Sequence, residues 1–118
     1  MVKVVDVIAD LQVSDIDAAR GFYAEYLGLR VEEFNLGWVA RLTSPDTGAH
    51  LQLVTHDAAA PENPVISVRV DDVDAAYRDA RQAGYEIVHP LSTESWGVRR
   101  FFVRAPDGNV LNILQHQA

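Results

Sequence analysis

A chain of 118 residues, 48% of them hydrophobic, has the size of one ordinary domain and buries roughly two thirds of its unfolded surface without disulfides or structural metal. The absence of cysteine excludes a disulfide framework, a thiolate nucleophile and cysteine-ligated zinc, and it suits a reducing compartment. Seventeen acidic against ten basic residues give a net charge of −7, which argues against nucleic acid as a partner and is compatible with a cationic ligand.

No apolar run approaches the roughly 18 residues of a membrane span, and Met1-Val2-Lys3 leads directly into an alternating segment. We therefore expect no signal peptide, no membrane association and a cytoplasmic location. From Lys3 to Val13 the chain alternates, with Val5, Val7, Ala9, Leu11 and Val13 on one face and Val4, Asp6, Ile8, Asp10 and Gln12 on the other, which predicts a strand. Ser14 or Asp15 then supplies the N-cap of a helix with apolar positions Ile16, Ala19, Tyr23, Tyr26 and Leu27, closed by Gly28. Gly21 inside that helix is either compensated by a close backbone contact or simply tolerated. Strands are predicted over Leu29–Phe34, Gly37–Thr43 and Ala49–Val54, with Pro45-Asp46-Thr47-Gly48 as the turn between the last two.

Residues Thr55–Asn63 read as a linker, after which the pattern restarts. Pro64–Val70 is a predicted strand, and Val73, Ala76, Tyr77 and Ala80 stripe a helix closed by Gly84. Strands over Tyr85–His89, Gly97–Arg104 and Gly108–Gln115 complete the second copy. His56, His89 and His116 fall in loops or near an end, and no role is assigned to them.

The restart is a true internal repeat. Val13-Ser14-Asp15-Ile16-Asp17-Ala18-Ala19 returns 57 residues later as Val70-Asp71-Asp72-Val73-Asp74-Ala75-Ala76. Pro45–Leu53 reads against Pro106–Ile113 in the same way. The predicted fold is α+β, a single domain over 1–118 built from two tandem βαβββ modules, 1–55 and 64–118, forming a curved mixed sheet around a cleft with helices on the outer face. Alternation places Leu11, Leu51, Leu53, Ile66, Val68, Leu111 and Ile113 on the helix side. Ile8, Asp10, His50, Gln52, Val65, Ser67, Arg69, Val110, Asn112 and Leu114 then face the cleft.

These modules, with their Val-x-Asp helix starts, Phe22-Tyr23, the Leu27-Gly28 stop and Pro106-Asp107-Gly108-Asn109, resemble the vicinal oxygen chelate superfamily over essentially the whole chain. Trp96-Gly97-Val98-Arg99-Arg100-Phe101 is most similar to its bleomycin-resistance and glyoxalase-like members. In metal-dependent members each half supplies one ligand from its first strand and one from its last. The resemblance places those positions at Ile8, Gln52, Val65 and Asn112. Two are aliphatic and two are neutral amides, which are weak ligands on their own, so no metal and no other cofactor are expected.

The residues present suit binding better than catalysis, and the chain is read as leaning away from an enzyme. Gln52 and Asn112 either hold a ligand or satisfy each other or a buried water. Asp10 would receive a cationic group, and Ile8, Val65, Ser67 and His50 complete the lining. Trp38 and Trp96 either sandwich a planar ring or pack in the core or at a subunit contact. Arg100 either reaches the cleft or pairs with surface acids. The resemblance thus implies a homodimeric, metal-free protein that sequesters a small aromatic compound, with a cationic group permitted. The alternative is a divalent-metal lyase, isomerase or dioxygenase with an atypical ligand set around Asp10, His50 and Gln52.

Overall fold

Both repeat copies start their helices with the same device. Asp15 is extended, and its Oδ1 accepts from Ala18 N at 3.2 Å ahead of α1 (Ile16–Gly21). Asp72 does the same for Ala75 N at 3.1 Å ahead of α2 (Val73–Gln82). Each cap satisfies a donor the helix itself cannot, worth about 1 kcal/mol. The chain leaves the helices through Gly28 at φ +75° and Gly84 at φ +79°, a left-handed conformation that costs glycine nothing.

The computed structural model describes residues 2–117, which hold eight strands, two α-helices and one π-helical turn in an α+β fold. They form two compact units, Ile8–Ala59, and the residues up to Val7 together with those from Ala60 onward. Among the described residues no helix is long and apolar enough to cross a membrane.

In the Ile8–Ala59 unit, β2 (Val31–Asn35), β3 (Val39–Thr43), β4 (His50–Val54) and the later part of β1 (Val4–Gln12) lie side by side in that order. The β1–β4 pair is parallel and the other two pairs are antiparallel. Buried Ile16, Leu29, Ala40, Leu42 and Leu53 form the core, with Leu11, Val13, Ala19, Tyr23 and Leu51 packed against it. The alternation therefore assigns the helix side correctly here. The helix itself departs from expectation, because Phe22–Tyr26 is a π-helical turn in which Leu27 N donates to Phe22 O at 3.3 Å. That wider turn rotates the residues after it. Tyr23 stays inside, while Tyr26 and Leu27, expected in the core, are exposed. Phe22 and Tyr26 stack on each other outside, centroids 5.3 Å apart.

In the other unit, β6 (Glu86–Thr93), β7 (Val98–Arg104), β8 (Val110–His116) and β5 (Ile66–Val70) are neighbours in that order, parallel only between β5 and β8. The helix-side core is Val68, Val70, Val73, Ala76, Ala80 and Phe101, joined by Ile66, Tyr77, Ile87, Leu91, Val103 and Ile113. Phe102 and Val110 bury the opposite face with Ala60 and Val88. Strand β6 runs past His89 to Thr93 through Pro90, with register shifts on both sides of His89. Only β7 is its partner in this unit, so the N–H that proline lacks is not missed.

Candidate functional site

The chemistry gathers on the sheet faces turned away from the helices, and each unit has its own cluster. In the first, strand register sets Asp10, Gln52 and Arg41 abreast across β1, β4 and β3. Gln52 Nε2 donates to Asp10 Oδ1 at 2.6 Å, while Arg41 Nε and Nη2 donate to Gln52 Oε1 at 3.3 and 3.1 Å. Arg41 continues to Glu33, 3.7 Å away, and lies over the Phe34 ring at 5.0 Å. Thr43 Oγ1 donates to Glu33 Oε1 at 2.6 Å. Both ends of the Gln52 amide are thus engaged, and a hydrogen bond to a buried carboxylate such as Asp10 is of the strong, charge-assisted kind.

Ile8 is buried on the strand that carries Asp10. His50 lies two residues from Gln52 on β4, opposite Thr43. Trp38 stands just before β3, its carbonyl accepting from Thr55 N at 2.9 Å and from Thr55 Oγ1 at 3.3 Å. Among the described residues no group of three His, Cys, Asp or Glu side chains is placed to hold a metal ion.

The second cluster centres on Arg100, buried between two rings, Trp96 at 5.0 Å and Phe102 at 4.8 Å. Its Nε donates to Glu94 Oε2 at 2.7 Å, and His89 Nε2 lies 3.3 Å from the same oxygen. The His89 ring meets Phe102 edge-on at 5.4 Å. Arg100 therefore belongs to the face away from the helix and has an internal carboxylate as its partner. The surface acids go to its neighbours, Asp74 to Arg99, and Glu62 and Glu86 to Arg104. Beside Phe102 in register is Asn112, whose Nδ2 donates to Ser67 Oγ at 3.0 Å. Asn112 Oδ1 is buried and has no hydrogen-bond partner among the described residues. Val65 lies just before β5, half exposed, its N–H donating to Val110 O at 2.9 Å.

The two amides at equivalent points of the repeat thus stand in opposite conditions: Gln52 is engaged at both its oxygen and its nitrogen, and Asn112 retains one buried acceptor that wants a donor. The four positions that metal-dependent relatives would use do not fit a divalent cation. Ile8 and Val65 have no donor atoms, and Gln52 Oε1 already faces the guanidinium of Arg41, whose charge would oppose a cation. Asn112 alone has a spare oxygen.

Four residues of these clusters were not anticipated. Arg41 could have been found, since a hairpin closed around Pro45–Gly48 sets residue 41 opposite 52. Glu33 would follow from Arg41 by charge. His89 and Glu94 depend on the extended, irregular β6, which the proline conceals.

The family model for the Glyoxalase/Bleomycin resistance protein/Dioxygenase superfamily matches residues 4–113. No curated protein matches the sequence. Among solved structures, one described as NAD-dependent benzaldehyde dehydrogenase from Legionella pneumophila is similar at TM-score 0.75 and 20% identity, over 95% of this chain and 100% of that one. Methylmalonyl-CoA epimerase from Mycobacterium tuberculosis is similar at 0.73 and 24%, over 98% and 90% of the two chains. An extradiol ring-cleaving dioxygenase from B. fuscum is similar at 0.73 and 21%, over 99% of this chain but 34% of its own. At these identities the structures speak for the fold and leave the chemistry to the site. The family match spans nearly the whole chain, and with the two βαβββ modules it establishes that this protein belongs to the glyoxalase/bleomycin resistance protein/dioxygenase superfamily.

Proposed function

We propose that the protein binds a small organic molecule without a metal, and that the ligand brings an N–H or O–H donor to Asn112 Oδ1. The observation that carries this is the unpartnered, buried Oδ1 beside Ser67 and Phe102, in the unit where Trp96 is a partly exposed flat ring. A buried acceptor left unpaired costs about 1–3 kcal/mol, which a ligand donor recovers on binding. The Arg100 guanidinium is already paired with the Glu94 carboxylate. The net charge of −7 favours neutral or cationic aromatic compounds over acids.

A thermal-shift screen tests the proposal with nitrogen heteroaromatics carrying an N–H and with their N-methylated counterparts. Occupancy at about 100 times Kd adds about 2.7 kcal/mol of stability. The N–H compounds should raise Tm, the N-methylated ones should not, and Asn112→Leu should erase the difference. Near-stoichiometric Zn, Ni, Fe or Mn in protein from metal-replete medium, lost in Asp10→Ala or Gln52→Ala, would overturn the reading in favour of a metal-dependent enzyme.

A further inference from the structure

The second unit has a cavity of about 340 Å³ on its helix side, away from the Asn112 face. Ala76, Asp79, Ala80 and Ala83 of α2 and its end form one wall, and Phe101, Val103 and Ile113 of β7 and β8 form the other. Val2 and Tyr85 complete the lining, and Asp79 is its only charged residue.

The repeat explains why this space is open. The first-unit equivalents of Ala76 and Ala80 are Ala19 and Tyr23, and those of Phe101, Val103 and Ile113 are Ala40, Leu42 and Leu53. In the first unit Tyr23 packs into the cluster of Ala40, Leu42 and Leu53 and fills the gap between helix and sheet. In the second unit the ring is on the sheet, where Phe101 meets Tyr77 edge-on at 5.0 Å, and the helix presents alanine where Tyr23 stood. The exchange leaves the space beside Ala80 unfilled.

A cavity of about 150 Å³ suffices for benzene, so this one has room for a body of about two fused rings. Its apolar walls supply no hydrogen-bonding partner to a polar group set deep inside. The charge of the lining is different. Asp79 is partly exposed in the last turn of α2, where the helix dipole is negative, and both favour a cation over an anion. We infer that this cavity is a second ligand site, selective for an apolar ring system ending in an amine, which inserts the rings between α2 and the sheet and leaves the ammonium at Asp79.

The test uses 2-naphthylmethylamine, 2-methylnaphthalene and 2-naphthoate, with affinities from amide chemical-shift titrations of the full chain. Shifts should cluster at Ala76, Ala80, Ala83 and Tyr85, with the amine binding about tenfold or more tightly than the carboxylate. Asp79→Asn should weaken the amine about threefold to fivefold and leave the uncharged hydrocarbon unchanged. Ala80→Phe, which restores a ring on the helix, should abolish binding. Ala83→Phe, at the exposed mouth where the core is not strained, should do the same. Shifts confined to Ser67, Trp96 and Asn112, equal affinity for carboxylate and amine, or unchanged affinity in Ala83→Phe would each overturn the inference. Asn112→Leu should leave this binding intact, so either site can fail without the other.

Discussion

Replacing Gln52 with leucine should be among the costliest single changes on the sheet faces turned away from the helices. The substitution removes the 2.6 Å donor of a buried carboxylate, Asp10, and the acceptor of two Arg41 N–H groups. Depriving a buried charged group of its hydrogen bond costs about 1.5–3 kcal/mol. Arg41 retains Glu33 and the Phe34 ring, so its share is no more than about 1 kcal/mol. The sum is about 1.5–4 kcal/mol. For 118 residues the unfolding entropy makes each kcal/mol worth about 4 °C, which gives a fall in Tm of about 6–16 °C. Urea denaturation of Gln52→Leu, Asp10→Leu and the double variant measures the coupling directly. The double variant should lose less than the sum of the single ones by about 1.5 kcal/mol or more, because with both partners gone neither side of the Asp10–Gln52 bond is left behind. Additivity within about 0.5 kcal/mol would refute the claim that this bond holds β1 to β4.

Glu94→Ala would remove the 2.7 Å charge-assisted hydrogen bond of the buried Arg100 guanidinium, and should cost about 1.5–3 kcal/mol in urea denaturation. Gly21→Ala should instead stabilise by about 0.5–1 kcal/mol in the same assay, since Gly21 has helical dihedrals and a Cβ there would meet nothing within 4 Å. The hydrogen bond from Arg99 holds the Asp74 carboxyl below its ordinary value of 3.8. A depressed folded-state value means that the pair stabilises the fold above pH 3.8 and that this contribution is lost as pH falls through the folded value. Asp74→Asn should therefore be slightly less stable than the parent at neutral pH, by less than about 1 kcal/mol, with Tm values that converge in acid.

Much of the fold was legible because the repeat states each element twice. Asp15 and Asp72 were readable as caps, and period-two alternation placed Leu11, Leu51, Leu53, Ile66, Val68 and Ile113 against the helices. The failures have local causes. Tyr26 and Leu27 were assigned inward on a 3.6-residue period, which a π-helical turn at Phe22–Tyr26 breaks. Pro90 masked the second half of β6, because a proline is compatible with a strand only where its missing N–H goes unused. Of the site, the polar faces were readable from parity, and the partner choices were not. Parity says that Gln52 and Arg41 share a face, but only the hairpin register says that they touch. Arg100 was undecided between two environments because Arg99 and Arg100 are adjacent, and a shift of one residue exchanges their faces.

The chain of side chains from Asp10 through Gln52 and Arg41 to Glu33 and Thr43 runs at right angles to its strands, so it also acts as a ruler. Aliphatic faces tolerate a slide of two residues, since Leu51 and Leu53 would simply trade neighbours. The polar row does not tolerate it. Sliding β4 by two places opposite β1 would set His50 or Val54 against Asp10 and leave the carboxylate without its amide donor. A face that is weaker than a purely apolar one would be thus makes one pairing of these four strands far better than its nearest competitors. On this account, substitutions along the row should show their largest effect in how uniquely the sheet is paired.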